Sequence, residues 1–244
     1  MSKKTAPQSR SERATSVIAD QRSRERRRNL AITGAVVGVA LVVLLVAFLA
    51  GRAGDTSGDA AQAPRGVDGY SVPVGSPDAP TTLTIYEDPQ CPICRDFEDA
   101  VGDRLSSAID AGDVRVEYRI VSFLDRASAN EYSSRAANAL MAVQDTAGSE
   151  AFAALHRTLF ENQPEEGTAG PEDEQLVAWA VEAGAPESEV RPLIEDRAFD
   201  QFVVNSTDRM SRDGVTGTPT VLIDGEPAGD TPAATVEAVL ELLG

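Results

Sequence analysis

Cysteine, histidine and lysine are nearly missing from this chain. Its 244 residues hold two cysteines, one histidine and two lysines. A structural zinc centre takes four ligands from Cys, His or acidic residues. Two cysteines and one distant histidine, His156, do not furnish a cysteine-rich centre, so no metal and no cofactor is expected. His156 lies in a helical stretch and reads as a residue at a solvated helix edge, with no role assigned. Both lysines, Lys3 and Lys4, stand at the very start. Residues 1–29 carry nine Lys/Arg and three Asp/Glu, a net of +6, whereas the remainder carries 13 Arg and 36 Asp/Glu, a net of −23. So acidic a body excludes nucleic acid as a partner, because phosphates are met by Lys/Arg clusters. Its acids read as a solvated surface.

Charge is absent altogether from Leu30 to Ala50, 21 residues in a row. At about 1.5 Å per residue such a helix spans roughly 31 Å, the thickness of a bilayer's hydrocarbon core. The basic segment RSRERRR, residues 22–28, precedes it, and positive flanks stay in the cytoplasm. The expected order is a cytoplasmic basic head at 1–29, a transmembrane helix at 30–50, and everything later outside the cytoplasm. Ala61-Gln62-Ala63 offers a small-residue cleavage site. The apolar run is nevertheless longer than the roughly 7–15 residues of a signal peptide, which favours an anchor. Residues 51–66, rich in Gly, Ala, Ser and Asp, read as a flexible tether. A folded domain is expected over 67–244.

Within it, TTLTIYED at 81–88 alternates like a strand and is stopped by Pro89. Phe97, Val101, Leu105 and Ile109 then recur at intervals of four, the mark of a helix, which Gly112 closes. VRVEYRIVSF at 114–123 is a second strand, with Val114, Val116, Tyr118 and Ile120 on one face. Apolar stripes through Tyr132, Phe152, Leu176 and Val190 make the stretch from about 125 to 213 helical, interrupted by a loop at 163–171. Strand character returns at TVLIDG, 220–225, where Asp224-Gly225 signals a hairpin. A helix from about 233 to 243 ends the chain. The class is α/β with a large helical insertion. The sequon Asn205-Ser206-Thr207 falls inside a predicted helix and reads as chance.

Both cysteines sit in DPQCPICRDFE, residues 88–98, two residues apart. A disulfide across two residues closes almost no loop and is a poor staple. A redox role suits the position better, because the pair follows a strand and opens a helix. There the unpaired backbone N–H groups and the helix dipole favour a thiolate on Cys91. Pro92 fits the first helical position, where its missing N–H leaves no partner unmet.

Further on, Gly217-Thr218-Pro219-Thr220 places a Thr-Pro directly before the returning strand. Together with VPVGSPDAPTTLTIYEDPQCPIC at 72–94 and GVTGTPTVLIDG at 214–225, it resembles the membrane-anchored, DsbA-like branch of the thioredoxin superfamily. In that branch a helical domain interrupts the thioredoxin fold. The resemblance covers roughly residues 67–244. It implies that Cys91 forms the mixed disulfide, that Cys94 resolves it, and that Thr218 and a cis Pro219 line the substrate groove. It also implies that Pro92 and Ile93 tune the potential. Family members commonly bury an acid six residues before the first cysteine; here that position is Ile85. Glu87 and Asp88, at the strand's end, are expected to be solvated, so a proton relay would fall to Glu87 or to water.

The resemblance further implies an extracytoplasmic thiol:disulfide oxidoreductase acting on unfolded or partly folded secreted proteins with thiols. A DsbB-like or vitamin K epoxide reductase-like membrane partner would reoxidise it. Proline after the first cysteine is similar to the oxidising members, and an oxidase is the leading expectation. An isomerase or reductase on the same fold, or a binding module with an inert disulfide, are the alternatives, since fold alone does not fix function.

Overall fold

The computed structural model describes residue 58 and residues 60–244. The expected basic head, the expected membrane span and half of the expected tether lie outside the described residues. Among the described residues no helix is long and apolar enough to cross a membrane.

A five-stranded mixed sheet forms the frame, in the order β1-β3-β2-β4-β5. Its strands are β1 (Val72–Val74), β2 (Thr81–Glu87), β3 (Val114–Ile120), β4 (Thr220–Ile223) and β5 (Glu226–Pro227). β2 lies at the centre, parallel to β3 and antiparallel to β4. The alternation read from the sequence holds: Val114, Val116, Tyr118 and Ile120 all point into the core. β3 stops at Ile120 rather than at 123, because Phe123–Ala127 turns into a short 3-10 helix. β1 had no strand signal of its own. Three residues long, it is held by antiparallel pairing with β3.

Helix α1 (Pro92–Ala111) follows β2. Its buried stripe is Cys94, Phe97, Val101 and Leu105, so the second cysteine is the first member of the apolar face that packs on the sheet. Gly112 ends the helix in the left-handed conformation, φ 79°, with its N–H returned to Ala108 and Ile109. Burying a side chain such as Phe97 is worth about 2–3 kcal/mol, and the stripe thereby fixes which way Cys94 faces.

The insertion comprises α2 (Tyr132–Glu161), α3 (Asp173–Glu182), α4 (Glu187–Glu195) and α5 (Asp200–Arg212); α6 (Pro232–Leu243) closes the domain against α1. α2 is broken at Gly148, whose φ of 82° no helix accommodates. Buried Arg135 and Asn138 tie α2 to its neighbours through Asp173 and Pro171, and through the Leu193 carbonyl and the Phe199 N–H. Gly170 packs so closely on the Tyr132 ring that a Cβ would sit 2.2 Å from it. Asn205 of the sequon is buried within α5. The last residues of the stretch read as a tether touch the domain: Gln144 Nε2 donates to the Arg65 carbonyl, and Ala61 packs on the core.

Candidate active site

The chain leaves the carboxyl end of the central strand at Glu87 and reaches α1 through Asp88, Pro89, Gln90 and Cys91. Cys91 is the N-cap of α1 and Pro92 its first helical residue. The Cys91 carbonyl receives the N–H groups of Cys94 and Arg95. Both cysteines are free thiols, 5% and 0% exposed. Thr218 comes from the loop before β4, and its carbonyl accepts from Cys91 Sγ at 3.5 Å. The Thr218–Pro219 bond is cis. Ile93 stands 41% exposed at the mouth, and Phe123, 40% exposed, projects from the 3-10 helix.

The two thiols are driven apart. Cys91 is lowered to about 6, first by the hydrogen bond from Cys94, against the cost of burial, and further by Thr218 and the backbone N–H groups of Cys94 and Ile93. Cys94 is raised well above an ordinary thiol, first by burial, then by its bond to Cys91 and by the charge of Glu87. Of the two, Cys91 is therefore the thiolate and Cys94 the protonated partner.

Two expectations are corrected at the strand's end. Glu87 and Asp88 are not solvated; both are 0% exposed. β2 is central and α2 covers its carboxyl end, so acids that would be at a surface in a shorter protein lie inside this one. Asp88 meets its burial with three donors: the Gln90 and Leu124 N–H groups, each at 2.9 Å, and the Ser133 hydroxyl at 2.6 Å. Burial still raises it to about 6.

His156 is the other correction. It lies not at a solvated edge but 3% exposed, with its Nε2 2.8 Å from Glu87 Oε2. Its ring stacks on Phe152, meets Phe160 edge-on and lies 4.5 Å from that of Tyr118. The signal was available, since 152, 156 and 160 share a helix face at i, i+4, i+8. Glu98, one turn below Cys94, completes the cluster and went unnoticed as a lone acid beside an apolar stripe. Burial raises both Glu87 and Glu98 to about 8, and it lowers His156. Glu87 Oε1 and Glu98 Oε1 have no conventional donor. Burial without a donor favours the protonated form of each carboxyl group. The donor atoms of Glu87, Glu98 and His156 lie within 4.8 Å of one another, a spacing that suits a small cation.

Gln163, just past α2, donates its carboxamide to the carbonyls of Pro89 and Cys91, both at 3.0 Å. The site is thus assembled from the thioredoxin-like core and from the insertion together.

A family model described as Thioredoxin matches residues 68–242. The chain belongs to the thioredoxin family. Within it, the chain is 32% identical to the solved structure of reduced DsbA from Mycobacterium tuberculosis. That match has a TM-score of 0.60 and covers 72% of this chain and 93% of that one. It is 34% identical to the reduced disulfide oxidoreductase DsbG of the same organism, with a TM-score of 0.61 over 72% and 88% of the two chains. It is a DsbA-like thiol–disulfide oxidoreductase. It also resembles serine/threonine-protein kinase PknE of Mycobacterium tuberculosis, at 33% identity over 116 residues. That segment is 46% of this chain and only 20% of the kinase.

Proposed function

We propose that this DsbA-like oxidoreductase donates disulfides outside the cytoplasm. It is held at the membrane by residues 30–50 with its N-terminus inside, and it acts on unfolded or partly folded secreted or envelope proteins that carry thiols. The observation that carries the reading is the split between the two thiols. Stabilising the Cys91 thiolate stabilises the reduced form, and a protein whose reduced form is favoured gives its disulfide away. The uncharged run and its basic flank support the location, and disulfides form outside the membrane.

The substrate thiolate attacks Cys91 and forms a mixed disulfide there; Cys94 leaves, and later resolves such intermediates. Thr218 and Pro219 flank the sulfur and line the groove, with Ile93 and Phe123 as its exposed apolar rim. Pro92 and Ile93 tune the pair without adding charge. Glu87 exchanges a proton with Cys94, as its charge raises that thiol. A DsbB-like or vitamin K epoxide reductase-like membrane protein restores the disulfide.

The test is the reduction potential of the full-length chain, equilibrated against glutathione. A value of about −120 to −180 mV, between DsbA and protein disulfide isomerase, supports donation. A value of about −250 mV or lower overturns it, and electrons would then flow from this protein to its substrates.

A further inference from the structure

β2, α1 and α2 each bring one metal-ligating side chain to the same point. Glu87 ends β2, Glu98 stands on α1, and His156 lies on the buried face of α2. One donor atom from each lies within 4.8 Å of the other two. Ligands about 2.0–2.2 Å from a tetrahedral ion stand roughly 3.3 Å apart, so small side-chain movements bring all three onto one ion. The scarcity of cysteine and histidine excludes a cysteine-rich centre. It does not exclude one built from two carboxylates and an imidazole.

Two further observations point to a ligand. Glu87 is fully buried, yet its Oε1 has no conventional donor, and Glu98 Oε1 is sealed in the same way. Burying such oxygens unpaired is costly, and one cation satisfies both. His156, lowered by burial, is neutral, the form in which an imidazole binds metals. The other observation is a way in. A cleft of about 670 Å³ opens between α1 and α2, with Glu98 and His156 among its walls. Its lining carries six carboxylates against one guanidinium, that of Arg157, which reaches Ser106 Oγ at 3.4 Å. A cleft lined by one sign of charge concentrates ions of the other. Neither cysteine lines it, nor does Thr218 or Pro219, so an ion enters by an opening separate from the substrate groove.

We propose that Glu87, Glu98 and His156 form a binding site for one divalent cation of zinc's type, with water from the cleft as the fourth ligand. The two carboxylates balance the charge of the ion. A nitrogen beside two carboxylates suits zinc, whereas calcium takes about 6–8 oxygens, more than this group supplies. The ion clips the end of the central strand and α1 to the insertion. A carboxylate bound to it has no proton to exchange, so loading and the exchange of Glu87 with Cys94 exclude each other.

The experiment uses the untagged full-length chain, stripped of metal and held in its disulfide form, so that neither cysteine acts as a ligand. His156 is the chain's only histidine, and its imidazole gives one set of nuclear magnetic resonance signals. Zinc chloride near neutral pH is expected to move that set, to saturate at one equivalent, and to raise the unfolding temperature. Calcium chloride is expected to do none of these, and equal movement by calcium overturns the zinc-type assignment. Glu98→Gln should weaken zinc binding more than about a hundredfold, beyond the roughly 10–100-fold loss typical of an outer partner. Asp103→Asn, on the exposed cleft wall but outside the group, should stay within about threefold of wild type. Zinc that leaves the imidazole signals in place overturns the inference. So does zinc held as tightly by Glu98→Gln as by wild type, the mark of ions scattered over surface carboxylates. The imidazole signals need no substitution, so they decide the matter even if Glu98→Gln does not fold. Binding is measured whatever the reduction potential, so its failure is distinct from failure of the donor reading.

Discussion

Glu87 and His156 are 69 residues apart in the chain and meet at 2.8 Å, both sealed from solvent. One ends the central strand and the other belongs to the insertion, so the chemistry behind Cys94 depends on how the two parts pack. Burial raises Glu87 and Glu98 together, against the opposing pull of His156 and Arg157 on Glu98, so their protonation follows from that packing.

The first prediction concerns the thiols. In the reduced protein, Cys91 should react with iodoacetamide with a midpoint near pH 6, following its lowered pKa, against about 8.5 for a free cysteine. Cys94 should stay unmodified until the protein unfolds. Cys94→Ala removes the largest stabiliser of the Cys91 thiolate, so its midpoint should move up, and the variant should accumulate mixed disulfides. Peptide mass spectrometry across a pH series checks all three. The lowered pKa also adds stability to the reduced form. That contribution is complete above the pKa of the unfolded thiol and is lost as pH falls through about 6.

A second prediction uses the disulfide form, where neither cysteine titrates. The raised Glu87 and Glu98 hold protons that the unfolded chain has already released. Their contribution is therefore most favourable below the ordinary glutamate pKa, and stability falls as pH rises towards about 8. Glu98→Gln should flatten that fall and be the more stable protein at pH 8. Thermal unfolding of both proteins from pH 5 to 8 checks it; parallel curves would mean that the pair is not strained by ionisation.

Third, Asp88→Ala should cost about 2–4 kcal/mol, because it strands three buried donors at once. Asp88→Asn, which keeps an acceptor, should cost less. Urea unfolding gives the magnitude. Hydrogen exchange should show the Leu124 amide, which donates to Asp88, losing protection before the sheet does.

A fourth outcome is expected at Thr218. Its hydroxyl is buried without a conventional hydrogen-bond partner, and the Thr218 side chain helps lower the Cys91 thiol. Thr218→Val keeps the carbonyl contact and loses the hydroxyl. One hydrogen bond of about 1 kcal/mol corresponds to roughly a fivefold smaller thiolate fraction below the midpoint. Alkylation rates at pH 5 measure it, and an unchanged rate would return the whole effect to Cys94 and the backbone.

Much of this was legible in the sequence. Alternation marked β2 and β3, the period of four from Phe97 marked α1, and the cysteine pair at a strand-to-helix junction with Thr218-Pro219 marked the chemistry. The rest depended on packing that local pattern does not encode. Val72–Val74 is too short to signal, and pairs only because β3 offers an edge. Glu87 and Asp88 read as surface acids because nothing local announces that α2 will cover them. His156 was set aside as an isolated histidine, although Phe152 and Phe160 place it on a buried face. Glu98 and Gln163 look like ordinary polar residues, and only their partners make them part of the site.

Gln163 has a bearing on how small this catalyst can be made. Its carboxamide bridges Pro89 and Cys91 from the loop that ends α2, just as Ser133 reaches Asp88 and His156 reaches Glu87. A miniature that kept the five strands with α1 and α6 and bypassed 125–213 would preserve both cysteines. It would also release their loop, flood the carboxyl pair with water and restore ordinary acidities. The insertion is a wall of the reaction vessel, and a stripped core would hold the same two sulfurs as an unremarkable dithiol.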